Sequence, residues 1–142
     1  MRSHRDWCDL LLKMVADMPR LPTSHNSRHA SAIVYRNQVA AFGFNSLKSH
    51  PLQVKYGKNS ESIFLHSEVD AIKNSLRSLS LRELSRSTIY VARIKQISSV
   101  DNRLVPGMSC PCAGCMRAIV EFDIKRVIYT CDDGGIEEIT RS

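Results

Sequence analysis

His66-Ser67-Glu68 and Pro111-Cys112-Ala113-Gly114-Cys115 are the two stretches of this sequence whose residue types and spacing can do chemistry together. An imidazole and two thiolates form the donor set of a catalytic zinc, which takes three protein ligands, leaves a fourth position for water and lowers the pKa of that water to about 7. His66, Cys112 and Cys115 supply such a set. Cysteines three apart in a helix's first turn project from one face, and the positive end of the helix dipole favours their thiolate forms. Pro111 suits the entry to that helix. Glu68, two residues past the histidine, shares the pocket but points elsewhere from its own helical turn, so it is free to carry protons. A carboxylate in that place can take a proton from water, give one to a ring nitrogen and assist the departure of ammonia, the sequence of transfers in a hydrolytic deamination. The competing reading is a closed zinc knot of Cys110, Cys112, Cys115 and Cys131 that only stabilises the fold; it leaves His66 and Glu68 without a purpose.

These residues need elements to hold them. Trp7, Leu10, Leu11, Met14, Val15 and Met18 recur at helical spacing over Asp6 to Met18, and Pro19 ends the run. Ala30 to Tyr35 and Val39 to Phe44 read as two strands joined by a turn at Arg36-Asn37-Gln38. Asn45 to Ser62 is polar, contains Pro51 and Gly57, and is expected to be a long loop. Val69, Ile72, Leu76 and Leu79 predict a helix from His66 to about Leu84 with a break near Ser80, and Thr88 to Ile94 a strand. Gln96 to Met108, with Pro106 and Gly107, reads as irregular; Cys112 to Phe122 is helical, Arg126 to Thr130 a strand, and Asp132 to Gly135 a turn before a short closing strand over Ile136 to Thr140. Strands separated by helices predict an α/β fold with parallel pairing inside a mixed sheet.

The chain has 142 residues, the size of one domain, and we read it as such over 1–142. No stretch is apolar enough to cross a bilayer, and Asp9, Lys13 and Asp17 interrupt the N-terminal apolar run, so the expected location is the cytoplasm. Five cysteines, three of them crowded into Cys110, Cys112 and Cys115, suit metal binding in a reducing compartment better than a disulfide framework. His4, His25, His29 and His50 show no partner spacing and read as surface or hydrogen-bonded residues. Twenty Lys and Arg against 14 Asp and Glu give a net charge of +6, a field that attracts anions such as nucleotides or nucleic acid.

With both motifs in view, the chain resembles the cytidine and deoxycytidylate deaminase superfamily, whose signature is His-x-Glu followed by Pro-Cys-x-x-Cys. The likeness runs from about Ala30 to Thr140, and the run from Cys112 to Phe122 is similar to the second motif of the cytidine deaminases. It implies a three-layer cytidine deaminase-like fold with a mixed sheet of about five strands, helices on both faces and a C-terminal hairpin. It also implies a Zn2+ cofactor and a homo-oligomer. The substrate residues it implies are Asn45, which meets base or sugar, the backbone carbonyl of Cys110, which faces the departing amino group, and the neighbouring Ala113. Cytidine deaminases follow that asparagine two positions later with a ribose-holding glutamate, where this chain has Leu47. Lys48, His50, Lys55 and Lys58 in the segment that follows are expected to grip a phosphate instead.

The leading expectation is therefore a zinc-dependent deaminase of a cytosine-type nucleoside or nucleotide. A deaminase acting on single-stranded DNA or RNA would also use the positive charge, but aromatic residues are 6% of the chain and Lys48 to Lys58 holds only Tyr56, a poor stacking platform. A zinc-stabilised interaction protein is the third reading, and Glu68 argues against it, since a carboxylate without a role is costly to leave in a pocket.

Overall fold

Ser3 opens the first helix with a capping box, its hydroxyl accepting from the Asp6 amide while the Asp6 carboxylate accepts from the Ser3 amide. This helix, α1 (His4–Ala16), turns Trp7, Cys8, Leu11 and Val15 inward. The computed structural model describes residues 1–17, 28–46, 48–56, 65–97 and 103–141. Strands β1 (Arg28–Tyr35) and β2 (Gln38–Phe44) follow as an antiparallel hairpin. Its loop is two residues, Arg36 and Asn37, both at positive φ (51° and 61°), the backbone of a type I′ turn; Gln38 already belongs to β2.

The segment expected to be a loop contains a helix instead, α2 (Pro51–Tyr56). The His50 ring accepts from the Leu52 amide at its start, and Gln53 and Tyr56 are buried, so the helix is held by packing that no short-range pattern announces. The long helix breaks near the expected place into α3 (Ser67–Ser75) and α4 (Leu81–Ser85), because Ser80 starts a new capping box with Glu83. The chain continues through β3 (Thr88–Gln96), β4 (Leu104–Gly107), α5 (Ala113–Glu121), β5 (Arg126–Thr130) and β6 (Ile136–Thr140). The short strand β4 lies within the segment expected to be irregular; it pairs with β3 alone, and Pro106 is tolerated at such an edge.

The sheet runs β2-β1-β3-β5-β6, with β4 beside the far end of β3, six described strands rather than about five. β3 and β5, separated by α5, are parallel, and β5 and β6 form the C-terminal hairpin. β1 and β3 are antiparallel although helices lie between them, because the chain returns along β2 before it crosses. Alternation along the strands builds two cores. Ala30, Ala32, Val34, Tyr90, Ala92 and Ile128 pack against α1, while Ile33, Ile89, Val91 and Val127 pack against the helices of the opposite face, giving three layers. Among the described residues no helix is long and apolar enough to cross a membrane.

α3 is the helix that carries Glu68, and it lies directly on β2 at Gly43. A Cβ there would sit 2.2 Å from the Ala71 amide nitrogen and 2.2 Å from the Ser67 carbonyl oxygen, both backbone atoms that cannot rotate away. Gly43→Ala is expected to lower stability by about 3 kcal/mol, the upper end of ordinary overpacking costs. Urea denaturation measures this, and a loss below about 0.5 kcal/mol would mean that α3 can slide off the strand freely.

Candidate metal centre and active site

His66 stands at the N-cap of α3 and Cys112 at the N-cap of α5, so both helix N-termini converge. The donor atoms of His66, Cys112 and Cys115 all lie within 4.8 Å of one another, and among the described residues this is the group able to hold a metal ion. His66 Nδ1 is 3.7 Å from Cys112 Sγ and 3.4 Å from Cys115 Sγ. Donors of a tetrahedral zinc at ordinary Zn–N and Zn–S lengths would be about 3.6 Å apart. The residues present therefore fit the ion. Cys110 is exposed, Cys131 is buried, and neither joins the cluster.

Charge in the cluster is already arranged for a cation. Hydrogen bonds from the Cys115 thiol and then from His66 pull the Cys112 thiol down to about 3, so that sulfur is a thiolate. The same shared proton, together with burial, pushes Cys115 up. The bond to the Cys112 thiolate raises His66 against the opposing effect of burial. A metal takes the place of the shared protons. Glu68 is 5% exposed, and its burial raises its carboxyl despite the Ser67 hydrogen bond and the His66 charge.

Several residues without a sequence signal position these groups. Ser67 Oγ donates to Glu68 Oε1 at 2.9 Å and lies 2.8 Å from Ser31 Oγ; since one hydroxyl carries one proton, Ser31 is the donor in the second contact. Gln53 Oε1, on α2, accepts from the His66 amide at 3.1 Å, and Gln53 is 1% exposed. α2 also meets α5, where Arg117 donates to the Tyr56 carbonyl and a Cβ at Gly114 would come 2.8 Å from that carbonyl oxygen. Ser109 and Thr130 stitch the junction of β3, β4 and β5: Ser109 Oγ donates to Val91 O at 2.9 Å and accepts from Thr130 N at 2.8 Å, fixing the approach to Cys112.

Asn45, half-buried, directly follows β2, its Oδ1 accepting from the His29 amide at 2.8 Å. Cys110 and Ala113 are exposed on either side of Cys112. Lys55 is tied to Glu121 at 2.9 Å on the outer side of α5, Lys48 is exposed, and Lys58 and Leu47 lie outside the described residues. Of the other histidines, His4 bonds the Tyr90 hydroxyl at 2.6 Å and His25 lies outside the described residues. His29 is half-buried and hydrogen-bonded through its amide to Asn45; burial, then the Arg93 charge and His66, hold its ring down to about 4.

Over residues 1–131 the chain matches the family described as the cytidine and deoxycytidylate deaminase zinc-binding region. It belongs to that family. The cytidine deaminase of Burkholderia pseudomallei, known from a 1.6 Å crystal structure, has a TM-score of 0.64 over 98% of this chain and 93% of its own, at 15% identity. The dCMP deaminase of cyanophage S-TIM5, in apo form, has a TM-score of 0.52 over 90% of this chain and 79% of its own, at 16% identity. At such identities the likeness is one of fold, and the deaminase fold is what the six-stranded sheet and its helices form. No curated protein matches the chain in sequence.

Gln53→Leu tests how this deaminase site is held, because it keeps bulk and removes the acceptor of the His66 amide. Loss of that partner should cost about 1–3 kcal/mol in urea denaturation. The variant should also give up zinc to a chelator more readily than wild type, and unchanged metal retention would show that α2 does not support His66.

Proposed function

We propose that residues 1–142 form a zinc-dependent hydrolytic deaminase domain that converts a cytosine-type nucleoside or nucleotide to its uracil counterpart with release of ammonia. The observation that carries this reading is the convergence of His66, Cys112 and Cys115 within 4.8 Å, with the buried carboxyl of Glu68 in the first turn of α3. A closed structural site would need a fourth protein donor, and among the described residues Cys110 and Cys131 do not supply one. Zinc held by the three donors supplies a Lewis acid that makes water nucleophilic at neutral pH.

The chain's own residues do the rest. Ser67 engages Glu68 Oε1, so Oε2 is the atom that takes a proton from water and delivers it to the ring nitrogen N3. Water adds its oxygen to C4; Glu68 then passes the second proton to the amino group, the C4–N bond breaks and ammonia leaves, with the carboxylate restored. Asn45, turned to the site side of β2, offers its Nδ2 to the base or sugar, while the Cys110 carbonyl and Ala113 border the departing amino group. The exposed side of α5, where Val120 is half exposed, supports assembly into a homo-oligomer.

Glu68→Gln should keep one zinc per chain and lower kcat by at least about 100-fold, since only proton transfer is removed. The assay follows ammonia release from cytidine, deoxycytidine, their monophosphates, adenosine and guanine. A near-normal rate in the variant would contradict the role of Glu68, and turnover of a purine in place of every cytosine compound would contradict the choice of base.

A further inference from the structure

Three strands end side by side at the metal centre, and the residues they present there are polar. Asn45 closes β2 against His29 through paired contacts, its amide to the His29 carbonyl at 3.4 Å and its Oδ1 from the His29 amide. His29 is in register with Arg93 on β3, and Arg93 with Gly107 on β4. Side chains two apart on a strand share a face. Ser31, two residues from His29, bonds Ser67 of α3, and Gly43, two residues from Asn45, touches the α3 backbone. The row Asn45, His29, Arg93 therefore faces the side of the sheet that carries α3 and the metal-site donors.

Arg93 is held there and makes no ion pair among the described residues. Its stem lies over Gly107, where a Cβ would come 3.2 Å from Arg93 Cδ, so glycine makes the room the arginine occupies. Thr130 Oγ1 accepts from its backbone amide at 3.2 Å and the Met108 carbonyl from one terminal nitrogen at 3.3 Å. Its Nε is buried with no hydrogen-bond partner among the described residues. Asp132, a carboxylate within its field, already pairs with Lys95 at 2.8 Å and with the Met108 amide. The half-buried His29 ring beside Arg93 has no hydrogen-bond partner among the described residues. A guanidinium with an unused, buried donor lacks an oxyanion, and Nε with a terminal nitrogen is the bidentate edge that phosphate fits.

We propose that Arg93, with His29 beside it, forms the subsite that receives a phosphate group of the substrate. This rests on the deaminase reading above and replaces the lysines of the Lys48–Lys58 segment as the source of phosphate recognition. The base lies at the zinc donors, Asn45 meets the sugar, and the phosphate reaches the third strand of the row, about 10 Å from Asn45 at ordinary strand spacing. The same chemistry serves a free mononucleotide or a phosphate within a single strand.

The test uses the zinc-loaded full chain as wild type, Arg93→Met and Arg93→Lys. Deamination of deoxycytidine, deoxycytidylate and a short cytosine-containing oligonucleotide is measured as kcat/KM, and binding of the products deoxyuridine and deoxyuridylate by calorimetry. Wild type should favour deoxycytidylate over deoxycytidine by about tenfold or more, a charge-assisted contact's worth. Arg93→Met should bring that ratio near one and weaken deoxyuridylate about tenfold, with Arg93→Lys between, since it keeps charge without the fork. Preference for the oligonucleotide, lost in Arg93→Met, supports the subsite and assigns the phosphate to a strand. Equal kcat/KM for nucleoside and nucleotide in wild type, or a wild-type ratio in both variants, overturns the proposal while leaving the deaminase reading standing. If wild type deaminates none of the three, the deaminase reading fails; the calorimetry then decides alone, an Arg93-dependent affinity for deoxyuridylate supporting the subsite and its absence overturning it.

Discussion

The contact on which the site depends is that of α3 with β2 at Gly43, where helix and strand backbones touch with no side chain between them. His66 and Glu68 ride on the first turn of α3, whereas Cys112 and Cys115 belong to α5, 46 residues further along. Donors from two separate helices must agree within about half an ångström for one ion to use them. Backbone contact fixes α3 more firmly than interdigitating side chains could, because it has no rotamers to vary. α2 completes the arrangement by touching both partners, the His66 amide through Gln53 and the start of α5 through the Tyr56 carbonyl.

Around the ligands the polar groups are satisfied in a directed order. Ser31 donates to Ser67, and Ser67 to Glu68, so a carboxyl buried to 5% exposure has a fixed oxygen and a fixed orientation. A buried network of this kind is stiff when complete and costly when one member is missing. On the neighbouring strands the order stops short: Arg93 Nε and the His29 ring have no acceptor or donor among the described residues, and this contrast marks where a ligand would complete the set.

What the sequence made legible was local. His66-Ser67-Glu68 and Pro111 to Cys115 are contiguous motifs at helix starts, and their residue types carry their chemistry with them. The hairpin at Arg36-Asn37 and the break at Ser80 were legible for the same reason, since turn and cap chemistry act over two to four residues. α2 was not, because six residues are too few to show a period and are held by Tyr56 and Gln53 against distant partners. β4 was hidden by Pro106 and Gly107, which read as breakers until an edge strand tolerates them. Long-range contacts were not legible either: Lys55 meets Glu121, 66 residues away, and His29 meets Arg93 through sheet register.

An open zinc site made by one imidazole and two thiolates has a distinct signature in X-ray absorption at the zinc edge, recorded on protein purified without added metal. One zinc per chain is expected, with two sulfurs at about 2.3 Å and two nitrogen or oxygen donors at about 2.0–2.1 Å, one of them His66 and the other from solvent. Four sulfurs around the metal, or protein that carries no stoichiometric zinc, would contradict it.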